Sequence, residues 1–267
     1  MSVKFSQVFL KDLSAREKIA RAVLSLADFS DAKNALTEIG PGGGALTSLI
    51  FPKVPSLKAV EIDKKLAAEL SSKYRGLEII NSDFLKIDAQ KIFPLAENFY
   101  FFGNLPYKIS TAIMEKILDT EKFAGAVFMF QKEVADRLTA APGDKAYGYF
   151  SAVCSLQTDI KEILFVPKGC FTPVPKVDSA VVEIKPLKTN LTNSFIRKYR
   201  KIVSYAFAHR RKTVENSLYL SLKGNFEREY ISKVLKSAGI DPKYRAETIS
   251  PELFKSLTSI FNLAKEE

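Results

Sequence analysis

The chain has 267 residues, with 40 Lys and Arg against 30 Asp and Glu, one histidine, two cysteines and no tryptophan. A chain this long buries most of its unfolded surface without staples; Cys154 and Cys170 lie in no close Cys/His cluster, and the lone His209 builds neither a zinc site nor a Ser-His-Asp triad, so no metal is expected. No stretch approaches the ~20 apolar residues of a membrane span, and residues 1–13 lack the apolar core of a secretory signal, so a cytoplasmic protein with no membrane contact is expected.

Over residues 1–187, short apolar runs alternate with segments of helical period, the pattern of a parallel sheet covered by helices. Ser14 and Glu17 read as a capping box, and Ile19, Ala22, Val23 and Leu26 share one face of a helix running to about Ala27. Strands are predicted at 35–39, 57–62, 77–81, 99–103 and 124–130, with helices at 44–50, 63–74, 110–118 and 132–140. Two more strands, 160–166 and 177–184, are joined by a loop holding Pro167, Pro173 and Pro175 and read as an antiparallel pair closing one edge of a seven-stranded sheet. After Pro186 and the polar stretch 188–193 the pattern turns wholly helical. Phe195, Tyr199, Ile202, Val203 and Ala206 form an apolar stripe, and further helices are predicted at 212–222, 227–238 and 251–263. The reading is an α/β domain over 1–187 and a small all-helical domain over 188–267.

The net charge of +10 is uneven: residues 1–187 hold 24 basic and 22 acidic side chains, residues 188–267 hold 16 and 8. Such a basic segment points to a polyanionic partner, nucleic acid before membrane because no lipidation motif accompanies it. Arg197, Lys198, Arg200 and Lys201, with Arg210, Arg211 and Lys212, are the candidate phosphate contacts, and Lys108 a further candidate RNA contact.

The run Glu38-Ile39-Gly40-Pro41-Gly42-Gly43-Gly44 ends the first predicted strand, where a doubly wound sheet binds nucleotides and glycines let the backbone turn against a ligand. Glu61 ends the second, 21 residues after Gly40, the place from which a carboxylate accepts hydrogen bonds from ribose hydroxyls. Gly40, Gly42 and Ala45 also satisfy the loose dinucleotide pattern, so the turn alone does not separate hydride transfer from methyl transfer. Glu38 is set to reach the amine of an amino-acid-bearing ligand, Asp83 to accept from an adenine amino group, and Phe84 to cover its face. Acids at three successive strand ends suit a sulfonium with a free amino acid better than a pyrophosphate, which they would repel. S-adenosyl-L-methionine is the expected cofactor.

Asn104-Leu105-Pro106-Tyr107 ends the fourth strand. An exocyclic amino group on a base is a poor nucleophile because its lone pair is delocalised into the ring. If the Asn104 side-chain oxygen and the Leu105 carbonyl accept its two hydrogens, the nitrogen is drawn towards a tetrahedral shape and its lone pair is freed. Pro106 sets the bend, and Tyr107 offers a face for an extruded base. No strong side-chain base is needed.

These residues are similar to the Asn-x-Pro-Tyr motif of amino-group methyltransferases, and the chain from Phe5 to about Pro251 resembles the ribosomal RNA adenine N6,N6-dimethyltransferases of the KsgA (RsmA) family. The resemblance is carried by Ser6-Gln7-Val8-Phe9-Leu10 with Asp12, Glu61-Ile62-Asp63, Asp83-Phe84-Leu85, Asn104 to Ser110, Gln131 to Ala135, Pro142 to Gly148, Phe171 to Ser179, Arg210 to Val214 and Arg245-Ala246-Glu247. It implies a Rossmann-like seven-stranded methyltransferase sheet with a small helical domain, acting as a monomer. The implied reaction is dimethylation of two adjacent adenosines in the 3′-terminal hairpin loop of small-subunit (16S) rRNA within the assembling 30S particle. It implies cofactor contacts from Val8, Leu10, Gly40, Gly42, Glu61, Ile62, Asp83 and Asn104, and target-base contacts from Tyr107 and Phe171. Val8 departs from the Asn or His usual there, and His209 from a neutral amide. The alternatives are a large-subunit rRNA adenine methyltransferase conferring antibiotic resistance, and an RNA-binding assembly or transcription factor of the same fold. Leu105, the Pro142 to Gly148 run and Arg245-Ala246-Glu247 favour the small-subunit family.

Overall fold

Apolar strands spaced by helices can bury both faces of a sheet only by crossing over it, and the computed structural model, which describes residues 8–105, 109–222 and 225–262, shows this arrangement. The chain divides into two compact units, Met1–Ala135 with Ile160–Pro186, and Asp136–Asp159 with Leu187–Glu267.

In the first unit, β1 (Phe9–Leu10) leads into α1 (Leu13–Leu24), followed by β2 (Asn34–Ile39), α2 (Thr47–Ile50), β3 (Lys58–Glu61), α3 (Lys64–Lys73), β4 (Glu78–Asn81), α4 (Ala89–Ile92), β5 (Asn98–Asn104), α5 (Ser110–Leu118) and β6 (Phe123–Gln131). α6 (Lys132–Thr139) lies at the crossing to the second unit, and β7 (Thr158–Val166), β8 (Phe171–Thr172) and β9 (Ser179–Pro186) complete the first. The seven-stranded sheet has the order β4-β3-β2-β5-β6-β9-β7. β4, β3, β2, β5 and β6 run parallel, and β9 runs antiparallel to β6. The chain reverses its direction of sheet building between β2 and β5, so the carboxyl ends of those strands flank the switch point where α/β sheets bind ligands.

The core of this unit gathers Leu36, Phe102, Val127, Met129 and Val181 from the strands with Ile19 and Val23 from α1. Burying each such side chain contributes about 1.5–3 kcal/mol. The α1 cap differs from expectation: Asp12 accepts from the Ala15 N–H at 2.7 Å and the helix starts at Leu13, so Ser14 lies inside it. β1 and β8 fall outside the predicted strands. They pair antiparallel, Phe9 with Thr172 and Leu10 with Phe171, over a length too short to show periodicity.

The second unit holds α7 (Tyr149–Ser155), α8 (Asn193–Phe207), α9 (Val214–Ser221), α10 (Arg228–Ser237) and α11 (Pro251–Ile260). Thr192, Thr213 and Ser250 cap α8, α9 and α11 through their hydroxyls. Its core joins Tyr147, Ala152 and Val153 to Tyr199, Ile202, Val203, Phe254 and Leu257. Both buried tyrosines satisfy their hydroxyls, Tyr147 on the Ile249 carbonyl (3.0 Å) and Tyr199 on the Ala152 carbonyl (2.9 Å), and burial pushes both phenols well above their ordinary range.

The expected boundary near residue 187 is one of three crossings. The chain crosses between units at 135/136, 159/160 and 186/187, and the 136–159 excursion, with the unpredicted α7, supplies part of the helical core. An apolar helix carries no mark of the core it will join. Among the described residues, no helix is long and apolar enough to cross a membrane.

Candidate active site

The carboxyl ends of β2 and β5 flank the switch point, with those of β3 and β4 next along the same edge of the sheet. The register places Ile39 beside Val60 and Glu61 beside Asn81, with Asn104 two residues beyond the Glu38–Phe102 pair. The turn after β2 is held by the Gly40 N–H on the Val60 carbonyl (2.9 Å). Gly40 adopts φ +65°, and a Cβ there would meet nothing within 4 Å, so the glycine opens onto free space. Gly42, at φ +55°, donates its N–H to Glu61 Oε2 (3.1 Å) while Asp63 donates to Oε1 (2.9 Å). The Glu61 carboxylate is thus oriented by the glycine turn, with lone pairs left for hydroxyl donors. Next to it Ile62 is 48% exposed, an apolar surface at the strand end.

Glu38 is buried and accepts a 2.6 Å hydrogen bond from the Thr47 hydroxyl. Burial pushes its carboxyl from 4.5 up to about 8, against the Thr47 hydrogen bond, and the nearby Glu61 charge adds to the rise. With Glu61 at the end of the neighbouring β3, a cation bound beside Glu38 would favour its ionised form.

Asn81 ties the ends of β3 and β4 by donating to the Glu61 carbonyl (2.8 Å), and Ser82 N–H donates to the same oxygen at 3.1 Å. Asp83 caps the short 3-10 turn Phe84–Lys86 by accepting from Leu85 N–H (3.0 Å). Phe84 is buried with its ring edge-on to Phe101, 5.8 Å between centroids, so its side chain serves the core and not an open adenine face. Asn104 is half-buried at the end of β5; Leu105 is buried, its N–H held on the Met129 carbonyl at 3.1 Å. Pro106, Tyr107 and Lys108 lie outside the described residues.

Val8 is half-buried, and Leu10 is buried with its carbonyl accepting from Arg16 Nε (2.7 Å). Phe171 is the clear correction. It is 1% exposed, paired with Leu10 and packed in the cluster of Phe102, Met129 and Val181, so it presents no face to a base in this conformation. Exposure is decided by which strand a loop residue pairs with, which local sequence does not encode.

Three further residues shape the site. Phe9 covers the glycine turn, its ring 3.5 Å from where Cβ atoms of Gly42 and Gly43 would stand. Thr47 holds Glu38. Gly103 precedes Asn104 where β5 runs so close to β2 that a methyl group would collide with the Ile39 carbonyl, a requirement that its position beside the motif could have signalled.

The helical unit brings together three runs singled out in the sequence. Gly143 N–H donates to the Glu247 carbonyl (2.8 Å), Arg210 Nη2 donates to the Tyr147 carbonyl (3.3 Å), and the same atom lies 3.9 Å from Glu247 Oε2. Arg210, though itself exposed, is therefore engaged inside its own unit, and Arg211, Lys212 and His209 are exposed beside it on the turn between α8 and α9. On α8, Arg197 and Lys201 are exposed and Lys198 and Arg200 half-buried.

A parallel sheet extended by an antiparallel β9 and then the edge strand β7, with its ligand side at the β2/β5 switch, is the architecture of the Rossmann-like methyltransferases. Solved structures share it over nearly the whole chain: a dimethyladenosine transferase from Plasmodium falciparum (TM-score 0.75, 26% identity, 93% of this chain and 95% of that one) and the 23S rRNA methyltransferase ErmE (0.67, 25%, 94% and 98%). The family model described as ribosomal RNA adenine dimethylase matches residues 1–263, and the chain belongs to that family of S-adenosylmethionine-dependent rRNA dimethyltransferases. Among its relatives, the protein named ribosomal RNA small subunit methyltransferase A of Syntrophotalea carbinolica is 40% identical, covering 96% of this chain and 95% of that protein. Its namesake in Shouchella clausii is 37% identical, over 94% and 86%.

Proposed function

We propose that this protein uses S-adenosyl-L-methionine to dimethylate the N6 amino groups of two adjacent adenosines in the 3′-terminal hairpin loop of small-subunit rRNA, as a cytoplasmic monomer acting on the assembling 30S particle. The observation that carries the reading is the placement of Asn104 and Leu105 at the switch point, beside an open glycine turn and an oriented carboxylate. Relatives named for small-subunit methylation support the choice of subunit.

The residues fit the cofactor. Free space at Gly40, the Glu61 carboxylate with acceptor capacity to spare, and the exposed Ile62 suit the turn, hydroxyls and flat ring of an adenosine. Bound there, the cofactor supplies a methyl group on a positively charged sulfur. Glu61 accepts from ribose hydroxyls, held by the Gly42 and Asp63 amides. Glu38, which holds its proton in the free chain, gives it up to water and becomes a negative partner when an ammonium group sits beside it. Asn104 Oδ1 and the Leu105 carbonyl accept the two hydrogens of the target amine and turn its lone pair outward, and the buried Leu105 side chain anchors that carbonyl. The protein thus acts by positioning and by fixed dipoles, and the proton released on transfer passes to water.

The test offers unmethylated 30S particles, 50S particles and naked rRNA with radiolabelled cofactor and maps the modified base. Label on adjacent adenosines of small-subunit rRNA is expected. Label confined to the large subunit would assign the chain the activity that ErmE is named for, and no label on any substrate would leave an RNA-binding factor.

A further inference from the structure

The Arg245-Ala246-Glu247 run has an inward and an outward half. Ala246 is buried and Glu247 lies against Arg210, but Arg245 and its neighbours Lys243 and Tyr244 point into solvent. Tyr244 is 51% exposed although its backbone is tightly held. Lys243 N–H donates to Asp241 Oδ1 and Tyr244 N–H to the Asp241 carbonyl, both at 2.9 Å. The Tyr244 carbonyl accepts from Val214 N–H at 2.7 Å, which joins it to the start of α9, two residues past Lys212. An exposed aromatic residue on a clamped loop thereby stands between two cations in sequence, on a backbone tied two residues past Lys212. A platform ordered in advance loses little conformational freedom when something binds it. One ring face among cations matches the alternation of base and phosphate in single-stranded nucleic acid, whereas a duplex hides its base faces and leaves work only for the cations.

We propose that Tyr244 is a stacking platform for an unpaired base of the RNA substrate, with the flanking phosphates held by Lys243, Arg245, Arg211 and Lys212. This rests on the reading that the chain acts on rRNA and adds an aromatic contact in the helical unit.

The chain contains no tryptophan, so Tyr244→Trp introduces a sole indole reporter. The full-length variant is titrated with single-stranded oligoadenylate, with an RNA duplex of equal length and with unmethylated 30S particles. Stacking quenches the emission on saturation with the single strand and with 30S, and leaves it unchanged with the duplex. Tyr244→Ala weakens 30S binding about tenfold, within the range of one base–aromatic stack, with the loss larger in KM than in kcat. Tyr244→Phe restores binding, and the salt dependence stays that of the parent because no cation is removed. Thermal unfolding of the three variants confirms an intact fold. Unquenched emission with saturating single strand, parental affinity in Tyr244→Ala, or failure of Tyr244→Phe to restore binding each overturns the proposal. If the parent labels small-subunit rRNA while Tyr244→Ala binds normally, the platform falls and the function stands. If the parent labels no small-subunit rRNA but oligoadenylate still quenches the indole, the function falls and the platform stands.

Discussion

Asn104 and Glu38, at the ends of the two strands that flank the switch point, are each open to a separate measurement. Asn104 ends β5 half-buried, and on the proposed function its amide oxygen takes a hydrogen from the target amine, so Asn104→Ala would remove an interaction that strengthens as the nitrogen changes shape. Single-turnover transfer is expected to fall at least ~100-fold, with cofactor affinity measured by calorimetry within a few-fold of the parent. A variant with parental rate would remove Asn104 from the chemistry. Glu38 is legible through stability. Its carboxyl titrates at about 8 in the folded chain against 4.5 ordinarily, so between those values the folded state holds a proton that the unfolded state has released. The stabilisation is fully present below about pH 4.5 and is lost as pH rises through 8, at up to about 1.4 kcal/mol per pH unit. Urea midpoints from pH 5 to 8 should therefore decline more steeply for the parent than for Glu38→Gln, which keeps the shape and cannot ionise. Parallel profiles would show that Glu38 is charged at neutral pH.

At the scale of elements, the turn between α8 and α9 separates cations that look equivalent in the sequence. Arg210 is spent on the Tyr147 carbonyl and Glu247, while Arg211 and Lys212 face solvent. The double variant Arg211→Ala, Lys212→Ala should weaken 30S binding and reduce the slope of log affinity against log salt by about 1–2, each phosphate contact accounting for ~0.7–0.9. Arg210→Ala should instead lower the stability of the chain by about 0.5–1 kcal/mol and leave the slope nearly unchanged, because a half-exposed ion pair at this distance is weak and the bond to a carbonyl is modest. Salt titrations of affinity together with urea melts distinguish the two. The short β1–β8 pairing works the same way, turning Phe171 from a candidate base contact into a core side chain.

At the scale of the whole molecule, the three chain crossings mean that residues 188–267 are not a separable domain. The helical core includes Tyr147, Ala152, Val153 and Leu156, all upstream of that segment. Without them Tyr199 loses both its apolar neighbours and the Ala152 carbonyl that satisfies its hydroxyl. A fragment 188–267 expressed alone is expected to show reduced helicity and a broad, non-cooperative melt by circular dichroism, since the losses resemble several large-to-small core substitutions at ~2–5 kcal/mol each. A sharp transition in the fragment would restore the single boundary near 187.

The seven sheet strands with most of their connecting helices, the doubly wound topology and the glycine turn followed by Glu61 could be read from residues 1–187, whereas the two-residue β1 and β8 and the helices α4 and α7 could not, because periodicity and turn chemistry are local properties that need a run of residues to show. Family membership was legible for the same reason, each motif being a short run in fixed order. What only the folded chain decided depends on partners far away in sequence. Examples are the tie of Arg210 to Tyr147 and Glu247, the burial of Phe171 and Phe84, the closeness of Gly103 to Ile39, and the allegiance of 136–159 to the helical core. A side chain's exposure is set by what packs over it, and an apolar or basic residue carries no record of which neighbour that will be.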